Sequence, residues 1–405
     1  MTDRFTILVA ARDEEARIGA TVTALRAQFA TADIVVADDG SRDGTAAAAR
    51  AAGARVLTLP RLGKGQALSL AEREIAAGAL LLCDADVGGE LRTLPESTAD
   101  VAVAAFAERR GGGFGVAKRA ARALVQARSG FDAREPLSGQ RTLSPAARAA
   151  CFPLAPGFGC EVRCTIDAVR AGLAVEEVTI PLTHRPTGRD LGGFVHRGRQ
   201  LLHAALACGP LAHNHRGLRL PLVGSVIAAF DPAVAPVAAL GLADDLWSGP
   251  ERGFRAHLRS GPTTGTLKLV GIPAYAFLRT RSLSAAALVA LAANALNQLD
   301  TRPGRALKAF LLAAAALRVR PRAVWGGVLL APYDLREMTM LGDAGANALG
   351  AVLGFSSVAN FGVRGRWLAI GALAGLTVLG ERRSLGRLVE QTPVLRELDA
   401  MGRVP

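Results

Sequence analysis

Leu80-Leu81-Leu82-Cys83-Asp84-Ala85-Asp86-Val87 is the stretch that decides how the rest of the chain reads. Three leucines and a cysteine in a row fit the buried end of a parallel strand, which needs apolar side chains on both faces. The run stops at two carboxylates one residue apart. Residues two apart in a strand face the same side, so Asp84 and Asp86 are expected to converge. Two carboxylates leaving a buried strand are costly unless a cation or solvent meets them. A divalent ion holding a diphosphate answers that need, because Mg2+ favours a few carboxylates plus phosphate oxygens. The plainer alternative is a solvated loop with two acids.

Three more strands precede it. Ile7-Leu8-Val9-Ala10-Ala11 ends in Arg12-Asp13-Glu14-Glu15 and a helical pattern through Phe29. Asp33-Ile34-Val35-Val36-Ala37 ends in Asp38-Asp39-Gly40-Ser41 and a helix from Thr45 to Ala52. Arg55-Val56-Leu57-Thr58-Leu59 is followed by Gly63-Lys64-Gly65 and a helix from Gln66 to Ala77. Strands alternating with helices predict an α/β doubly wound, mostly parallel sheet, whose ligands bind at the carboxyl ends of the strands. Each strand here delivers acids or a Gly-Lys-Gly loop to that edge.

Ala11-Arg12-Asp13-Glu14-Glu15, Asp38-Asp39-Gly40-Ser41, Gly63-Lys64-Gly65 and Asp84-Ala85-Asp86, in this order and spacing, resemble a family-2 glycosyltransferase of GT-A fold, and within it the polyprenyl-phosphate branch. Ser138-Gly139-Gln140-Arg141 and Gly157-Phe158-Gly159-Cys160-Glu161 resemble that branch's acceptor-side motifs. Ala11 and Asp13 stand where the family has Pro and Asn. The resemblance implies nucleotide-sugar contacts from Ala11, Asp13, Glu14, Asp38, Asp39, Lys64 and Asp84, and catalytic roles for Asp86, Glu161 and Arg141. It implies Mg2+ or Mn2+ on Asp84 and Asp86. His184 follows the strand Val175–Leu182, and in related retaining transferases of the glucosyl-phosphoglycerate synthase type a His after a comparable strand completes the metal site. Glu161 or Asp132 is the candidate base toward the acceptor.

The chain has 405 residues, half of them hydrophobic, and a net charge of +13, which suits phosphorylated substrates or an anionic membrane. Its aromatic content is 5%, with no aromatic-studded strand, so nucleic acid is not an expected partner. Lysine occurs only at 64, 118, 268 and 308, and arginine carries the rest, as in a GC-rich bacterial genome. Five cysteines form no Cys-x-x-Cys pair and read as reduced thiols of a cytoplasmic domain. The chain opens directly on a strand without a signal-peptide pattern, so that domain is expected to stay in the cytoplasm. Asp100–Phe106 reads as a fifth strand. Residues 109–130, with Gly111-Gly112-Gly113, Arg109, Arg110, Lys118, Arg119 and Arg122, read as an acceptor-phosphate loop leading into a helix, or as a solvated basic helix. Residues 190–207 mix leucines with Arg197, Arg199, His196 and His203, a pattern suited to a membrane interface.

Composition shifts near Gly209. Apolar segments are read at 219–243, 264–278, 283–299, 306–317, 323–332, 344–363 and 367–380, and only the first and sixth approach the roughly 20 residues of a membrane span. The expectation is an all-α, membrane-associated module over 209–385 and a polar tail over 386–405, after a transferase domain over 1–208. Asp231-Pro232 breaks the first segment, predicting a bent or re-entrant piece returning to one face. Asp244-Asp245, Asn294-Ala295-Leu296-Asn297-Gln298-Leu299-Asp300 and Gly342-Asp343 resemble, in that order, the polyprenyl-phosphate phospho-sugar transferase superfamily that includes phospho-MurNAc-pentapeptide translocase. That resemblance implies a second site of Asp244, Asp245, Lys268, Asn297, Asp300 and Asp343.

The expected function is therefore a metal-dependent hexosyltransferase at the bacterial cytoplasmic membrane, its first domain on the cytoplasmic side. It would move a sugar from a nucleotide-sugar to a polyprenyl-phosphate or other lipid-linked acceptor, by inversion or retention. The alternatives are a non-catalytic membrane scaffold with a degenerate second half, and a retaining transferase to a small phosphorylated acceptor.

Overall fold

A computed structural model describes residues 5–106, 115–183, 191–247 and 263–404. They form two compact units, one reaching Arg219 and the other running from Leu220 to Val404.

In the first unit β1 (Thr6–Ala11), α1 (Glu15–Gln28), β2 (Asp33–Asp38), α2 (Thr45–Ala51), β3 (Arg55–Thr58), α3 (Lys64–Glu72) and β4 (Leu80–Asp84) follow one another in the expected alternation. After the two-residue β5 (Gly88–Gly89) come β6 (Val101–Phe106), α4 (Val116–Ser129), β7 (Arg141–Leu143), α5 (Pro145–Cys151), α6 (Cys160–Arg170), β8 (Val175–Ile180), β9 (Leu182–Thr183) and α7 (Leu191–Ala207). The seven-stranded sheet runs β3-β2-β1-β4-β7-β6-β8. All pairings are parallel except those of β7, which is antiparallel to both β4 and β6.

Period-2 alternation sends the strand residues to two cores. Ile7, Val9, Ile34, Val36, Leu81 and Cys83 pack with Ile18, Val22 and Leu25 of α1. Leu8, Val35, Leu80 and Leu82 pack on the opposite face with Ala67, Leu68 and Ala71 of α3. Leu80, Leu81 and Leu82 are buried as the sequence requires, each contributing about 1.5–3 kcal/mol of transfer free energy. The strand ends at Asp84, and Asp86 lies on the exposed turn beyond it. The two-residue strand spacing therefore does not set their relation.

The second unit is helical: α8 (Ile227–Phe230), α9 (Ala235–Trp247), α10 (Thr264–Thr280), α11 (Leu283–Leu299), α12 (Arg305–Ala316), α13 (Pro321–Asp334), α14 (Gly342–Asn360), α15 (Val363–Arg382), α16 (Leu385–Gln391) and α17 (Pro393–Ala400). The break at Asp231-Pro232 is present, with the Asp231 carboxylate accepting the N–H of Ala233. The membrane spans read from the sequence are corrected here: no described helix is long and apolar enough to cross a membrane. Much of the Ala and Gly content goes into helix–helix packing. A Cβ on Gly350 would meet the backbone of Ala292 and Ala293, and one on Gly354 the Cα of Val289. Within residues 386–404 the polar segment is tied down: Arg305 of α12 holds Asp399 of α17 through Nε at 3.0 Å and a terminal nitrogen at 2.8 Å.

Candidate active site

The sheet edge collects its polar groups in layers. Asp38 is buried, with one carboxylate oxygen accepting the N–H of Ser41. Asp39 is buried too, and its backbone N–H donates to Ala11 O at 2.9 Å, the one site role found for Ala11. Its carboxylate accepts the N–H groups of Leu62 and Gly63, with the Arg12 guanidinium at 3.4 Å. Burial raises its pKa despite those donors. Asp39 thus fastens the Gly-Lys-Gly loop. Asp13 has φ of 55°, a left-handed conformation that Asn and Asp tolerate best, which accounts for Asp in the place of the family's Asn. Its side chain accepts the N–H of Arg42, while its own N–H donates to Ser41 Oγ. Glu14 donates its N–H to Thr45 Oγ1 and pairs with Arg17 at 2.7 Å.

Gly63 has φ of 106°, open to glycine alone, and α3 begins directly after it. The helix therefore starts at Lys64, earlier than Gln66. Lys64 Nζ lies 2.5 Å from Asp84 Oδ1 and 2.6 Å from Glu161 Oε1. Burial alone would lower the lysine, but the two carboxylates outweigh it and hold Lys64 well above its usual range. Asp84 is opposed by burial in the same way, and Lys64 and Gln140 keep its carboxyl below the usual value. Burial, Asp84 and Glu14 push Asp86 up. Asp84 and Asp86 are thus electrostatic neighbours, and Asp86 is the more open of the two.

Strand β7 explains how Gln140 arrives. Its antiparallel register pairs Leu82 with Arg141, which sets Gln140 Nε2 at 2.9 Å from Asp84 Oδ2. Arg141, expected to be catalytic, packs under the site and ties backbone together. It is fully buried and donates to Ser138 O at 2.6 Å and Glu161 O at 3.0 Å. Glu161 is buried and held by Lys64, and Asp132 is exposed in an ion pair with Arg122, so each candidate base is committed to a cation. Lys118 pairs with Glu135. His184, Arg109, Arg110 and the glycines 111–113 lie outside the described residues. Gln140 and Arg17 are members of the site that the motif reading did not assign. Arg17 could have been found from its i,i+3 spacing to Glu14, whereas Gln140 needed the strand pairing.

In the second unit Lys268 bridges Asp244, at 2.8 Å, and Asp343. Asp245 accepts the N–H groups of Asp343 and Ala344 and so caps the first turn of α14. Asp300 ends α11; burial and the charges of Asp334, Asp343 and Asp245 push its carboxyl well up. Asp334, absent from the sequence reading, belongs to this group and accepts the N–H of Gly304 at 2.6 Å. Asn297 has no role in these contacts; Asn294 instead ties α11 to Thr377 of α15.

Residues 6–87, the segment holding the first four strands and Asp84, match Glycosyl transferase family 2. The chain carries a family-2 glycosyl transferase domain. Glycosyltransferase AglJ of Haloferax volcanii is 30% identical to it over 171 residues, which are 39% of this chain and 56% of the relative, so the chain spans little more than half of that protein's length. Glucosyl-3-phosphoglycerate synthase of Mycobacterium tuberculosis, solved with phosphoglyceric acid, is 26% identical, with a TM-score of 0.43 covering 50% of this chain and 78% of that one. The same enzyme with Mn2+, UDP-glucose and phosphoglyceric acid gives 26% and 0.43 over 54% and 86%. TM-scores below 0.5 add nothing to the assignment of this site.

Proposed function

We propose that the protein is a metal-dependent glycosyltransferase that passes a sugar from a nucleotide-sugar to a phosphate-bearing, lipid-linked acceptor. The observation that carries the reading is the meeting of Asp84, Asp86 and Lys64, the last at the first residue of α3, on the carboxyl edge of a parallel sheet. A helix N-terminus with a lysine is a ready diphosphate site. The paired carboxylates suit a hard divalent cation such as Mg2+ or Mn2+. Among the described residues no group of three or more His, Cys, Asp or Glu can hold a metal by itself. Asp84 and Asp86 would therefore hold the ion together with diphosphate oxygens and water, and the ion would neutralise charge on the departing nucleoside diphosphate.

The chain's own residues have separable tasks. Asp39 fixes the loop before α3, Gln140 orients Asp84, and Lys64 offers its ammonium to the diphosphate. Glu161 and Asp132 are neutralised by cations, which fits an acceptor already ionised as a phosphate and in little need of a base.

The second unit is read as the membrane-facing part, on the cytoplasmic side of a bacterial membrane. Leu267, Val270, Leu278, Leu283, Leu312, Trp325 and Leu368 are all more than half exposed. The twenty-residue helix α15 has no buried residue and carries arginines near both ends. Large exposed apolar side chains of this kind are what a membrane or partner surface covers. A polyprenyl chain or a lipid surface would cover them.

The decisive experiment is thermal unfolding of the full chain with Mn2+ and UDP-, GDP- or dTDP-sugars. A ligand at 100 times its Kd stabilises by about 2.7 kcal/mol. One of these pairs is expected to raise Tm only with metal present, and Asp86→Ala to remove that rise while leaving the ligand-free Tm in place. Retention of the metal-dependent rise in Asp86→Ala would overturn the assignment.

A further inference from the structure

Lys64 occupies an unusual position for a cation. It is the first residue of the nine-residue helix α3, where the helix dipole favours negative charge. It is tolerated because two carboxylates from different elements close on its ammonium, Asp84 from the end of β4 and Glu161 from the start of α6. The two acids are not equivalent. Glu161 has a side chain only 6% exposed, and its second oxygen accepts from Cys160 Sγ at 3.0 Å. Asp84 is 31% exposed and has Gln140 as an alternative partner. Removing the ammonium from Glu161 would strand a buried charge at a cost of several kcal/mol, whereas Asp84 can be released to another cation.

We propose that Lys64 is a built-in stand-in for the metal: its ammonium neutralises Asp84 in the ligand-free site, pivots on Glu161, and yields Asp84 only when a diphosphate arrives to receive it. The inference rests on the metal reading of Asp84 and Asp86 given above. Glu161 is then a positioning residue, the anchor of the pivot. An ammonium suits this exchange: it is a compact charge with three rotatable donors, whereas a guanidinium is a rigid fork. The chain has four lysines among 48 basic residues, so lysine at this place stands out against an arginine background.

The consequence is thermodynamic. Metal alone must break the Lys64–Asp84 pair and leave the ammonium beside a second cation. Metal with diphosphate trades that pair for a metal–carboxylate bond and a lysine–phosphate bond. Mn2+ and diphosphate must therefore bind with mutual synergy, and release of the Lys64–Asp84 pair must add to what the direct metal–phosphate bond supplies.

The test is Mn2+ titration of the full chain followed by the EPR signal of free Mn2+, with and without inorganic pyrophosphate, each read against a protein-free titration that accounts for the Mn2+–pyrophosphate complex in solution. In the unaltered protein pyrophosphate is expected to tighten Mn2+ binding by about tenfold or more, within the usual 5–150-fold range of coupled sites. In Lys64→Met, Mn2+ alone is expected to bind about tenfold tighter than in the unaltered protein, and the pyrophosphate effect to shrink by a similar factor. Lys64→Met leaves Glu161 unpaired and could fold poorly, so Lys64→Met/Glu161→Gln, which removes the stranded charge, is measured beside it with the same expectation. Unchanged affinity for Mn2+ alone in the folded variants, or synergy undiminished in them, would overturn the Lys64 proposal while leaving the metal site intact. Absence of Mn2+ binding by the unaltered protein with pyrophosphate would instead overturn the metal reading itself, and the Lys64 proposal with it.

Discussion

Gly139→Ala separates the site from the fold more cleanly than any other single change. Gly139 is not in the left-handed region, so alanine costs no backbone strain there, and the stiffer unfolded chain gains about 0.4–1 kcal/mol. The added Cβ would lie 2.7 Å from Asp84 Oδ1 and 2.7 Å from Lys64 Nζ, and closer still to Asp84 Oδ2. Ordinary contact begins near about 3.4 Å, so the ends of both side chains must retreat by close to 1 Å, a displacement that can cost about 10²-fold at a reacting centre. Both groups are flexible side-chain ends, and the overpacking penalty should stay near the low end of about 1–3 kcal/mol. Calorimetric titration with Mn2+ and the nucleotide-sugar selected by the thermal screen is therefore expected to show Kd weakened by about 10–100-fold, with Tm nearly unchanged. Gly198→Ala on α7 is the control, since a Cβ there meets nothing within 4 Å. A Gly139→Ala protein with Kd within threefold of the unaltered one would refute the placement of Asp84 and Lys64 in the ligand site.

Two further expectations concern the helical unit. Burial raises Asp245 to about 6, and Asp334 likewise to about 6. A raised carboxyl contributes stability that is fully present below its unfolded value and lost as pH rises through the folded one, so Tm should fall from pH 4 to pH 7; Asp245→Asn should flatten that fall, and an unaltered slope would show that Asp245 does not titrate as described. Membrane docking predicts that the full chain sediments with vesicles containing anionic lipid and that Trp367→Ser with Leu368→Ser, both on exposed positions of α15, reduces the bound fraction several-fold; a protein that stays in the supernatant at low and high salt would sink that reading.

The parallel-sheet framework was legible because its strands are continuous apolar runs punctuated by acids and glycines, from Ile7–Ala11 to Leu80–Cys83. The helices α10 to α15 and the break at Asp231-Pro232 were legible for similar local reasons, whereas the short α8, α16 and α17 were not. Strand β7 was not: it has three residues, begins with an arginine, and exists because β4 and β6 each leave an edge for it. Nor could local pattern show that Asp39 would be consumed by Gly63, or that Lys64 would find Glu161, 97 positions away. Hydropathy misled over the membrane spans, since Ala and Gly register as apolar whether they face lipid or let two helices approach, as Gly350 and Gly354 do against α11.

The four lysines repay a comparison that composition alone conceals. Lys64 lies between Asp84 and Glu161, Lys268 between Asp244 and Asp343, Lys118 on Glu135, and Lys308 on the carbonyls of Leu398 and Asp399. The arginines that form comparable buried contacts behave differently: Arg141 and Arg148 spread several nitrogens over backbone carbonyls, and Arg305 takes Asp399 through two of them. The fork locks a fold, whereas the point charge closes a gap between two acids and can be replaced by another cation. In the second unit that distinction changes how the acids are weighed. Lys268 already neutralises Asp244 and Asp343 and the first turn of α14 satisfies Asp245, so these three are held by groups of the chain itself, whereas Asp300 is met by burial and like charge. Among the described residues of the first unit Asp86 has no such internal cation beyond the neighbouring charge of Arg17, and burial and Asp84 work against its ionisation. Under the proposed function the open carboxylate of Asp86 is where a diphosphate would bring its metal, and the family-2 match over residues 6–87 is why the transfer reaction is proposed for the first unit.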